Sequence, residues 1–208
     1  RLRLDIAYFA APAYARIEKL EPYLRQARQL SEVAILSEEH FNPVGSRNSP
    51  SDDGAAQMLL ELQVPFDVLD RYADFSPYRV IILPDNITLD ADTTAKLKAF
   101  IGAGGRIIAS WHAGLDESGA FALDFGIRGG ATPVASKPVY VRAGKEIDGA
   151  MPETAFVMYD AAETITTAGA RVLANLHKSY FNRSYKHWSS HQHAPDDPEA
   201  APVGAAVT

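Results

Sequence analysis

The sequence predicts an α/β fold, a three-layer sandwich built on a mainly parallel sheet with an antiparallel C-terminal extension. Three observations carry this. Short apolar runs alternate with helical patterns as far as Ala109, which is the signature of strand–helix–strand units. Gly102 to Gly114, GAGGRIIASWHAG, reads as a helix stop, a buried strand and a tight turn of small residues. Beyond Gly114 the pattern changes to short strand candidates separated by Gly and Pro, the habit of antiparallel sheet.

Taken in order, Pro12 to Leu30 carries Tyr14, Ile17, Leu20, Leu24 and Ala27 at near-helical spacing, interrupted at Pro22, and predicts one kinked helix or two short ones. Val33–Ser37 is a short buried strand. The segment Glu38 to Ser51 is a long loop rich in Asn, Pro, Ser and Gly. Ser51 or Asp52 can cap a helix striped by Ala55, Met58, Leu59 and Leu62. Phe66–Leu69 is the second strand and Arg79–Leu83 the third. The connection Asp70 to Tyr78 is short for a parallel crossover, so it either crosses without a helix or starts from an edge strand.

Asp90 caps the next helix, which turns Leu97, Phe100 and Ile101 inward and stops at Gly102, Gly104 and Gly105. Arg106–Ala109 is the fourth strand. Val139–Arg142, Ala155–Tyr159 and Arg171–Leu176 are the later strand candidates. No internal repeat or low-complexity tract is visible. The apolar small-residue run Ala200 to Thr208 and the start at Arg1 both read as cuts inside a longer polypeptide, with residues 1–31 a leader to a domain over 32–208.

Composition limits the function classes. A formal charge of −6 argues against nucleic acid, whose binding is dominated by Lys and Arg on phosphates, and no apolar run is long enough to cross a bilayer. The absence of cysteine removes disulfides, thiolate chemistry and Cys-ligated zinc, and a reducing cytoplasm is the expected compartment. No cofactor motif is present: the GAGG run lacks the order GxGxxG after a strand and is a helix stop.

The turn after the fourth strand has the form of a nucleophile elbow, with His112 at its tip inside Ser110-Trp111-His112-Ala113-Gly114 and no evident nucleophile. His112 is the one candidate catalytic residue, as general base, metal ligand or polar lining of a cleft; the plainer reading is a histidine satisfied by backbone partners. Ser110 lies at the strand end, away from the tip. Glu38 and Glu39 are adjacent and point apart, so they are not a glycosidase carboxylate pair. Ser51, Asp52 and Asp53 favour a helix dipole.

The densest polar-aromatic cluster lies in YFNRSYKHWSSHQHAP. Tyr180, Asn182, Arg183, His187, Trp188, His191 and His193 are the candidate ligand-binding residues: aromatic faces stack on pyranose CH groups, and Asn, Arg and His supply hydrogen bonds. The spacing H-x3-H would align two imidazoles on a helical face, but without acidic or thiolate partners metal binding is not expected. The same residue types make protein–protein hot spots, and both roles hold together if the segment completes a neighbour's active site.

The succession VAILSEEHFN, VPFDVLD and YRVIILPDNITLDADTTAKLKAFIGAGGRIIASWHAG resembles the middle, trimerisation domain of glycoside hydrolase family 42 β-galactosidases, within the class I glutamine amidotransferase-like superfamily. YFNRSYKHWSSHQHAP resembles a segment of barrel-containing glycosidases or fucosidase-like proteins that carry such a domain after the barrel, and IEKLEPYLRQAR resembles the helix linking the two. The resemblance implies a flavodoxin-like fold. It further implies a non-catalytic accessory domain of a glycoside hydrolase that associates with its own kind, as a trimer for instance, and with an upstream barrel, with carbohydrate as a further partner. The superfamily's amidotransferases place Cys at the elbow tip; His112 stands there instead, so their acyl-enzyme chemistry does not carry over. The alternatives are an independent hydrolase using His112 and a carbohydrate-binding module.

Overall fold

The computed structural model of the chain describes residues 2–41, 49–134, 137–147, 149, 154–160, 162–188, 194–199 and 203–207. It divides into two units, Arg1–Ser31 and Glu32–Thr208. The first unit is a helix, α1 (Leu2–Leu24), which begins ten residues before the expected start and runs through Pro12 and Pro22. Its apolar side chains Tyr14, Ile17, Leu20 and Leu24 are exposed.

In the second unit β1 (Val33–Leu36), β2 (Phe66–Leu69), β3 (Val80–Leu83) and β4 (Arg106–Ala109) form one parallel sheet in the order β2-β1-β3-β4. That order is the flavodoxin-like one. The short crossover therefore has both expected properties: β2 is an edge strand, and residues 70–79 pass over β1 to β3 without a helix. The turns Asp70 to Ala73 and Asp74 to Ser76 are closed by the aspartates' own carboxylates, which accept from backbone N–H groups two and three residues on.

Each sheet face has its own core because side chains alternate along a strand. Ala34, Leu36, Ile81 and Leu83 pack with Leu97 and Phe100 of α3 (Ala91–Gly102) and with Ile87, Leu89, Ala113 and Leu123 from the loops. Ile35 packs with Ala55 and Leu59 of α2 (Pro50–Glu61) on the opposite face. Helices on both faces of the sheet give the three layers. The inward stripes are narrower than expected: Met58, Leu62 and Ile101 are exposed, since one row of i, i+4 side chains already fills the contact.

The N-cap of α2 is Ser49, not Ser51 or Asp52, because Pro50 at the first helical position has no N–H to leave unsatisfied. The Asp90 carboxylate does cap α3, accepting from Thr93 N at 2.8 Å, and it also pairs with Arg71. Asp90→Ala should destabilise the fold by about 1 kcal/mol, the usual loss of an N-cap. Equilibrium denaturation would read it, and an unchanged midpoint would contradict the cap.

After β4 the chain turns antiparallel. β5 (Ile127–Pro133) pairs with β8 (Glu163–Thr167), and a second sheet has the order β10-β9-β6-β7 from β6 (Val139–Ala143), β7 (Phe156–Met158), β9 (Val172–Lys178) and β10 (Val203–Val207). β6, β7 and β9 match the expected strands within two residues. β5, β8 and β10 were not expected, and the small-residue run at the C-terminal end contains a strand that pairs with β9.

Candidate functional site

The carboxyl ends of β1, β3 and β4 bring three loops together, where open α/β sheets bind ligands. At the end of β1, Glu38 is buried, with Oε1 accepting from Asn86 Nδ2 at 2.9 Å and Oε2 from Ser51 Oγ at 2.6 Å. Glu39 is exposed, so the two do point apart. The Asp52 carboxylate takes Ser37 Oγ at 2.9 Å and the Glu38 N–H, and burial pushes it above the usual carboxylate range. This network ties the start of α2 to the first strand.

At the end of β4, Ser110 Oγ donates to Asp85 Oδ1 at 2.7 Å. Trp111 then adopts a left-handed φ of 52°, so the backbone reversal falls one residue before His112. Small-residue spacing gave no sign of that: a bulky side chain at positive φ is held there only by surrounding structure. Gly114, at φ 92°, completes the turn, and a Cβ there would come within 2.9 Å of the Phe125 ring.

The indole of Trp111 stacks on the His112 imidazole, with centroids 4.6 Å apart and planes at 28°. His112 Nε2 lies 2.8 Å from Glu163 Oε1 on β8. Among the described residues the imidazole is thus met by a side chain from a different sheet and by no backbone group. Its own side chain is 44% exposed while that of Glu163 is 11% exposed. Glu163 has no fixed spacing to His112 that sequence reading could use; they are 51 residues apart.

The second predicted cluster sits on a loop whose two ends are fastened together. Ser179 and Asp196 form an antiparallel bridge, Tyr180 N donates to Pro195 O at 2.9 Å, and Asp197 N donates to Lys178 O at 3.0 Å. Tyr140 Oη donates to Ala194 O at 2.6 Å, and burial together with the Asp196 charge pushes that phenol up. Asp196 faces His177 and Arg142, each 3.8 Å away.

Beyond this neck Tyr180, Tyr185 and Trp188 are exposed, Tyr185 almost wholly at 97%. Asn182 Oδ1 accepts from Lys137 N at 3.0 Å, and Arg183 lies exposed beside it. His187 is not on a helix. It closes a tight turn with Ser184 through backbone bonds in both directions, and Ser184 Oγ also accepts the His187 N–H, a local bond that competes with helix. His191 and His193 lie outside the described residues. Among the described residues His112 contacts Glu163 and Trp111, neither of which belongs to the 180–188 segment. Among those residues no three His, Asp or Glu side chains are placed to hold a metal ion, and no helix is long and apolar enough to cross a membrane.

A family model described as the beta-galactosidase trimerisation domain matches residues 57–184, from the middle of α2 to the start of the exposed loop. The chain belongs to the β-galactosidase trimerisation domain family. Among curated proteins, β-galactosidase GanA of Bacillus subtilis (strain 168) is 26% identical over 130 residues, which cover 60% of this chain and 19% of that protein. Among solved structures, α-L-fucosidase isoenzyme 2 from Paenibacillus thiaminolyticus aligns over 93% of this chain and 30% of its own, with TM-score 0.81 and 32% identity. The β-galactosidase from Bacillus circulans sp. alkalophilus shares the fold, with TM-score 0.60 at 16% identity over 79% of this chain and 27% of its own. The chain thus spans a third or less of the length of each of these three relatives.

Proposed function

We propose that this chain is the accessory, non-catalytic domain of a cytoplasmic glycoside hydrolase. Residues 1–31 are the linker from an upstream barrel, and residues 32–208 are the amidotransferase-like domain that associates with its own kind, as a trimer in the simplest case. The observation that carries this is the family match over an elbow that presents Trp111 and His112 in a chain with no cysteine. The oriented, half-exposed imidazole and the exposed Tyr180, Tyr185 and Trp188 supply the surface. Aromatic anchors of this kind dominate association energy, and they also stack on sugars. In this reading the domain holds copies together and lends His112 or the 180–188 loop to an adjacent barrel that acts on galactosides or fucosides.

The test uses the whole parent protein, its copy lacking residues 32–208, and the double variant Y185S/W188S. Mass in solution and turnover of galactosides and fucosides are measured for each. The deletion should lower the oligomeric state and the turnover together. The double variant should weaken association at least tenfold, since hot-spot aromatics each contribute about 2 kcal/mol or more. An unchanged mass with unchanged turnover in the deletion would exclude the reading. Turnover by this chain alone that disappears in His112→Ala would replace it with an independent hydrolase.

A further inference from the structure

We propose that Glu163 is a positioning residue for His112: it locks the imidazole as the Nε2–H tautomer and so turns Nδ1 into a hydrogen-bond acceptor for a hydroxyl of a neutral sugar. The inference rests on the accessory-domain reading above and names the chemistry of its histidine.

The geometry begins at Glu163. Its side chain is largely enclosed, Oε1 meets His112 Nε2 at 2.8 Å, and Oε2 is buried with no hydrogen-bond partner among the described residues. A carboxylate in that setting accepts and does not donate, so the nitrogen facing it carries the proton. The other nitrogen of a neutral imidazole is then a lone-pair acceptor. Nδ1 has no partner among the described residues, and the ring is nearly half exposed. Stacking against Trp111, itself fixed at positive φ, holds the ring plane. The turn after β4 and the strand β8, which belong to different sheets, therefore set both the direction and the tautomer of one exposed ring.

An acceptor at this position selects its ligand. A hydroxyl donates to it, whereas a carboxylate has no proton to give and meets the charge of Glu163, with Asp85 hydrogen-bonded to Ser110 two residues before His112. The ligand class is a neutral polyol such as an unsubstituted pyranose, in keeping with a chain of net charge −6.

Ring nitrogen shifts of the chain in long-range proton–nitrogen spectra, at about pH 8 where an unperturbed imidazole is neutral, test the lock directly. His112→Ala assigns the signal. The wild-type ring should be a single Nε2–H tautomer. Glu163→Gln, whose amide offers a donor as well as an acceptor, should mix the tautomers, and Glu163→Asp should restore one. A wild-type ring that is already mixed, or bears its proton on Nδ1, overturns the proposal whether or not the variants fold. So does a Glu163→Gln spectrum identical to wild type, which is what a purely structural stitch between the two sheets would give.

In the parent glycosidase, His112→Ala and Glu163→Gln should each raise KM for a neutral glycoside severalfold with kcat less affected. Tautomer mixing together with an unmoved KM in both variants would keep the positioning role and overturn the sugar assignment, and with it the lending of His112 under the accessory-domain reading.

Discussion

Leu97→Ala should cost about 2–5 kcal/mol of unfolding free energy, the range for a large-to-small change in a sealed core. Leu97 has no exposed surface, and it stands on α3 against the sheet face made by Ala34, Leu36, Ile81 and Leu83, all of them buried. The sheet backbone cannot follow a shrinking side chain, because β1 and β3 are held on both sides by parallel ladders. The vacated space persists as a cavity, and the loss exceeds simple transfer of the missing methylenes. Urea or guanidinium unfolding followed by circular dichroism reads the midpoint, and the slope should stay constant if only stability has changed. A loss below about 1 kcal/mol would mean that α3 moves freely against the sheet, contrary to the packing described.

Gly105→Ala should be nearly as damaging for the opposite reason. A Cβ at residue 105 would lie 2.4 Å from two atoms of the Phe100 ring, far inside contact distance, and that ring is almost fully buried in the same core. Either the ring leaves its place or the chain between α3 and β4 shifts, and overpacking of this sort costs about 1–3 kcal/mol or more. The neighbouring Gly104 is a useful contrast. Its Cβ would meet open space, but its φ of 97° strains any other residue, so Gly104→Ala loses stability through backbone alone. Phe100→Leu should therefore rescue Gly105→Ala and leave Gly104→Ala unrescued. Strict additivity of Phe100→Leu with Gly105→Ala in a double-mutant cycle would refute the collision.

The contrast between these glycines marks what was legible in the sequence. β1 to β4, α2 and α3 announce themselves because apolar periodicity and stop residues coincide: Leu97 and Phe100 face inward as spaced, Asp90 caps, and the glycine run ends the helix. β5, β8 and β10 were hidden by composition. Ile127–Pro133 contains two glycines and a proline, Glu163–Thr167 is polar at most positions, and Val203–Val207 is mostly Gly and Ala. Their pairing comes from partners far along the chain, which no local window contains. The site divides in the same way. His112 was visible from its turn, whereas Glu163 was visible only once β8 had been placed beside that turn. The left-handed φ of Trp111 gave no signal either, since a tryptophan is among the last residues expected there.

The fastened neck at Lys178–Tyr180 and Pro195–Asp197 has a consequence for how such a domain changes over time. The two ends are joined by a closed ring of backbone bonds, so changes in the exposed stretch beyond Asn182 need not disturb the register of β9 with β6 or β10. The scaffold and the exposed loop are then separately editable. The loop with its neck is then the natural unit of exchange between family members, leaving the sheets beneath it as they are.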